Sequence, residues 1–204
     1  MPLNEFLASV SDEDTWRPFR EARAALSVGD VGSAHQTLTT IATDPGIEAQ
    51  QRLLAWHFLR QSGAQAPKDV KQEVLGVVVE AAMEGGLDLV AAYADRTARY
   101  YNYAGPAVIW LRPDSSLDGL IDAVLEAARM ILPNIGPWDG ARRRPPQRDR
   151  MRLNILTPRG LHFGEGPFEA LEQDRLARPL VLAATRLMVA LTSLPRRKGE
   201  SEAS

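Results

Sequence analysis

Three groups of residues in this chain have the types and spacing that chemistry requires. The first is His162 and Glu165, set among Gly160, Gly164 and Gly166. An imidazole and a carboxylate on one loop could act as acid and base, with Glu165 as orienter or second acid and Arg159 as an anion anchor. Glycine would let the backbone approach a ligand closely. The competing reading is a tight buried connection. In it Phe163 and Phe168 anchor the loop, His162 bonds a backbone carbonyl, and Glu165 caps a short helix opened by Pro167.

The second group is basic. Arg142, Arg143, Arg144, Arg148, Arg150 and Arg152 lie near Trp138, and against Asp139 and Asp149 they leave a local excess of four positive charges. Guanidinium groups hold phosphate or carboxylate, and Pro145-Pro146 would stiffen their presentation. The bland alternative is a solvated loop. Where such a patch binds, an acidic protein surface fits better than nucleic acid, because no RNA- or DNA-recognition motif accompanies it. The third group is aromatic: Tyr100, Tyr101 and Tyr103, with Tyr93 and Trp110. On a strand Tyr101 and Tyr103 share a face, so with Trp110 they could line a groove or an oligomer interface. Ordinary cross-strand packing is the competing reading.

The elements that must position these groups follow from periodicity. Val74 to Val79 is apolar and β-branched, and Glu84-Gly85-Gly86 breaks it. Leu87 to Tyr93 resumes the pattern, Asp95-Arg96-Thr97 turns, Ala98 to Tyr103 alternates, Ala104-Gly105-Pro106 turns, and Ala107 to Leu111 closes the set. Consecutive hairpins of this kind make an antiparallel meander. Leu117 to Leu132 carries one wide apolar stripe, which predicts a helix covering one sheet face. Met151 to Thr157 reads as a fifth strand, 158–167 as a loop, Phe168 to Gln173 as a short helix and Pro179 to Leu194 as a final, well-buried helix.

Upstream, Trp16 to Leu26, Val31 to Ile41 and Ile47 to Gln61 are helical, separated by Gly29-Asp30 and by Thr43-Asp44-Pro45-Gly46. Met1 to Asp14 permits a further short helix, with capping residues at Ser11 to Thr15. The expected fold class is therefore α+β. An N-terminal helical hairpin plus a third helix (1–66) precedes a four- to five-stranded antiparallel meander sheet packed by C-terminal helices (67–195), and a charged tail follows (196–204).

Bulk composition narrows the field. A chain of 204 residues, 45% hydrophobic and 25% charged, buries a sizeable core without staples. With a net charge of −2, no global field draws it to nucleic acid or an acidic membrane. There are no cysteines, so disulfides and thiolate sites are excluded. The three histidines, His35, His57 and His162, have no paired spacing, so no metal and no cofactor are expected. No signal-peptide pattern and no membrane-length apolar run is visible, which makes the cytoplasm the expected location.

Two resemblances accompany these readings. The words LGVVVE, GGLDLVAAYAD, YYNYAG and LTPRGLHFGEGPF resemble those of a family of uncharacterised bacterial proteins, which carries no activity, cofactor or partner with it. The stretch EARAALSVGDVGSAHQTLTTIAT is similar to a tetratricopeptide-type helical hairpin, but a solenoid needs about three copies and only one is present. The expected function is a non-enzymatic interaction or accessory module. It would use the hairpin and an exposed aromatic sheet face to hold a protein partner or a second copy. The alternative is a small-molecule enzyme or sensor with its pocket at the LHFGEG loop.

Overall fold

The computed structural model describes residues 16–67, 70, 72–105, 107–141 and 143–195. The short helix and cap expected within 1–15, Arg142 and the tail at 196–204 lie outside the described residues.

Helix α1 (Arg17–Ser27) starts with Pro18 in its first turn, where a missing N–H costs nothing, and ends before Gly29, whose φ of 81° reverses the chain. Asp30 then caps α2 (Val31–Thr43) by accepting from the Ser33 N–H at 3.0 Å. Helix α3 (Ala49–Gln61) is capped from outside, since the Asp95 carboxylate accepts from the Ala49 N–H at 2.8 Å. Phe19, Leu38, Ile41, Trp56 and Leu59 fill the space between the three helices, and Leu75, leading into the sheet, is buried with them. Arg60 NH1 donates to the Pro158 carbonyl at 2.7 Å, and Arg99 NH2 donates to Gln50 Oε1 at 2.9 Å. These contacts fix the bundle to one end of the sheet.

Among the described residues the sheet has six strands: β1 (Gly76–Ala82), β2 (Leu87–Tyr93), β3 (Ala98–Tyr101), β4 (Val108–Trp110), β5 (Arg150–Thr157) and β6 (Gly160–Pro167). Their spatial order is β4-β3-β2-β1-β5-β6, and every neighbouring pair is antiparallel. The meander is as expected, with one strand more. The stretch read as a loop is β6, which pairs with β5 along its whole length, from Thr157↔Gly160 to Arg150↔Pro167. Its two-residue turn is Pro158-Arg159.

Alternation then sorts the side chains. Val77, Val79, Val90, Ala92, Ala98, Tyr100, Trp110, Leu153 and Ile155 share the face covered by α4 (Asp118–Ile131) and α6 (Ala177–Thr192), with the short α5 (Phe168–Gln173) leading into α6. Ile121, Val124, Leu125, Leu180 and Leu187 pack onto them, each contributing about 1.5–3 kcal/mol of burial. The final helix is less enclosed than its composition suggested, because Leu182 and Val189 point outward. No helix among the described residues is long and apolar enough to cross a membrane.

Candidate functional site

The β5–β6 hairpin assembles a charged cluster on the sheet face opposite α4 and α6. Register places Arg152 of β5 between Glu80 of β1 and Glu165 of β6. The buried Arg152 guanidinium donates from Nε and NH2 to Glu165 Oε2 at 3.0 and 2.8 Å, and from NH1 to Glu80 Oε2 at 3.2 Å. Its NH2 also donates to the Arg144 carbonyl. Arg150 Nε meets the other Glu165 oxygen at 3.1 Å. Burial pushes the Glu165 carboxyl up, but the hydrogen bonds and charges of Arg152 and Arg150 outweigh it and hold its pKa below the usual value. Glu165 therefore stays ionised.

Over this cluster runs the loop that follows α4. The Trp138 backbone N–H donates to the Leu161 carbonyl at 2.6 Å, and its indole Nε1 donates to the Ala141 carbonyl at 3.0 Å. The Trp138 ring meets Phe163 edge-on with centroids 5.3 Å apart, and the Arg143 guanidinium lies 5.4 Å from one ring and 5.8 Å from the other. Arg143, Arg144, Pro145, Gln147, Arg150, Arg152 and Glu165 line a shallow depression of about 420 Å³. Arg148 leaves the group, pairing instead with Glu84 at 3.2 Å and with Asp149.

Residues expected to act together are separated. His162 pairs with Ile155 and Glu165 with Arg152, so the imidazole and the carboxylate project to opposite faces of β6. An acid–base pair does not form, because a three-residue offset on a strand reverses the side. His162 is buried, its Nδ1 3.3 Å from the Ile135 carbonyl and its Nε2 3.3 Å from Thr157 Oγ1. A carbonyl can only accept, so Nδ1 carries the proton and Nε2 faces the hydroxyl. Arg159 sits exposed at the β5–β6 turn, whereas Glu165 lies toward the strand's other end. Glu165 instead joins the arginines, two groups that the sequence presented as separate.

The aromatic group also divides. Trp110 is buried on the helix-covered face, in register with Ala98, while Tyr101 lies on the other face opposite Leu89. Strand β3 ends at Tyr101, so alternation no longer places Tyr103. Its ring packs over Gly85 and Gly86, and its backbone N–H donates to Asp88 Oδ1 at 3.3 Å. Tyr100 is a core residue whose hydroxyl donates to Asp88 Oδ2 at 2.8 Å.

Glu80 was not singled out by the sequence. Its one signal is that it breaks the apolar run on the side away from Val77 and Val79, which means little until β5 is known to lie alongside. Among the described residues, no group of three His, Asp or Glu is placed to hold a metal ion. The fold is α+β, an antiparallel sheet with helices on one face and a helical bundle at its end. No family model, curated protein or solved structure matches the chain.

Proposed function

We propose that this chain is a non-enzymatic interaction module whose sheet face away from α4 and α6 receives, at its β3–β4 side, a second copy of the chain. One observation carries this reading. Helices α4 and α6 lie on one face, and on the other the outer strands present Tyr101 and Ile109, 38% and 53% exposed, beside β4, which among the described residues is an edge strand. Apolar side chains on a sheet edge favour pairing with another chain, and a two-fold arrangement sets the same patch against itself. The tip of the α1–α2 hairpin, with Leu26, Val28 and Val31 exposed, offers a second contact.

Light scattering coupled to size-exclusion chromatography tests it. Over a wide concentration range the chain should pass from monomer to dimer, and Ile109→Arg or Tyr101→Arg should keep it monomeric. A strict monomer at every concentration removes the proposal. The competing reading, acid–base chemistry at the LHFGEG segment, loses support because His162 and Glu165 face opposite sides of the sheet.

A further inference from the structure

Beyond self-association, the geometry points to the depression over β5 and β6 as a binding site for a multiply charged phosphate-class anion. Four guanidinium groups, from Arg143, Arg144, Arg150 and Arg152, line it with one carboxylate, Glu165. Glu80 behind Arg152 makes two carboxylates against four cations, a local excess of two positive charges in a chain whose net charge is −2. The carboxylates engage two of the four guanidinium groups, those of Arg150 and Arg152. Glu165 is bonded to Arg152 and to Nε of Arg150, and Glu80 to Arg152. The guanidinium groups of Arg143 and Arg144 have no carboxylate partner among the described residues.

The site is also built in advance. Arg143 is held against Trp138 and Phe163, and the loop bearing it is tied down through Trp138 to Leu161 and through the Arg144 carbonyl to Arg152. Arg152 is thus a positioning residue: buried, paired, and gripping the backbone that presents two other arginines. Arginine's planar fork suits tetrahedral phosphate oxygens, and fixed donors bind without the entropy cost of ordering a free loop. Two excess charges match a di- or trianion better than a lone carboxylate. The shape is a small basin, within the volume range of small-ligand sites and unlike an extended track for a nucleic-acid backbone.

Titration of the full chain with pyrophosphate at low salt, followed by calorimetry and by Trp138 fluorescence, tests this. Saturable one-site binding is expected, weakening as salt rises. Arg143→Gln and Arg144→Gln, both on the surface, should each weaken it about tenfold or more, the loss of roughly one charge-assisted bond. Arg178→Gln on α6 should leave it unchanged. The inference fails if pyrophosphate does not saturate, or if the two site variants bind like the parent, which marks an adventitious ion only. It fails equally if a polyglutamate peptide binds there and pyrophosphate does not. None of these outcomes depends on whether the chain dimerises.

Discussion

Arg152 and Glu165 stand directly opposite each other on β5 and β6, and two nitrogens of the one converge on a single carboxylate oxygen of the other at 2.8 and 3.0 Å. Removing Glu165 leaves a buried guanidinium with Glu80, a backbone carbonyl and the Phe163 ring 5.6 Å away. Glu165→Ala is expected to cost about 2–4 kcal/mol, less than a fully orphaned buried charge because Glu80 remains. Urea unfolding measures it. A loss below about 0.5 kcal/mol would show that the pair behaves as a surface salt bridge.

The Tyr103 ring occupies the space a side chain at the β1–β2 turn would need. A Cβ at Gly86 would sit 2.7 Å from the Tyr103 Cβ, and φ there is 156°. Gly86→Ala should destabilise by about 1–3 kcal/mol. Combined with Tyr103→Gly, which removes the Cβ that the new methyl would meet, a double-mutant cycle should return a coupling of about 1 kcal/mol or more. Strict additivity would place the cost in the backbone conformation at Gly86 alone.

Acid should act through His162. Burial, with the Arg159 charge adding to it, holds the imidazole below its ordinary pKa of 6.5 against the pull of the Ile135 and Gly136 backbone. As pH falls through about 6.5 the unfolded chain takes up a proton that the native chain refuses. Stability from this source is complete above that pH and is lost toward the native pKa, at no more than about 1.4 kcal/mol per pH unit. His162→Gln should therefore lose less stability than the parent between pH 7.5 and 5.5. Parallel losses in the two proteins would assign the acid sensitivity elsewhere.

Arg52 is the helical bundle's counterpart to Arg152. Buried on α3, it donates to the Ala42 carbonyl at 3.1 Å and to both oxygens of Glu73 at 2.9 and 3.0 Å. Arg52→Met strands a carbonyl at the end of α2 and should cost about 2 kcal/mol in chemical denaturation. Glu73→Gln, changing a carboxylate that is one-third exposed, should cost clearly less. The reverse ranking would locate the stabilisation in the charge rather than in the backbone bond.

The four-strand meander was legible because its turns are marked by glycine, aspartate and proline, and its strands by β-branched residues. Strand β6 was not, because Gly160, Gly164 and Gly166 lower its strand propensity and only the pairing with β5 holds it extended. The candidate site was half legible for the same reason. Its arginines form a visible cluster, but Glu80 and Arg152 are far apart in sequence and meet only through register. Trp110 could not be sorted from Tyr101 without knowing that Ala98 is its partner.

The placement of β1 bears on how the chain is made. Among the described strands it is the earliest to leave the ribosome, yet one of its two flanks is filled by β5, which begins at Arg150, 68 residues after β1 ends at Ala82. At ordinary translation speeds that interval lasts roughly 3–14 s. Throughout it a nascent chain that has already folded its meander displays a valine-rich border with unpaired amides. Premature termination before the last hairpin would make that border permanent, so truncated products should be the sticky, chaperone-dependent species of this protein.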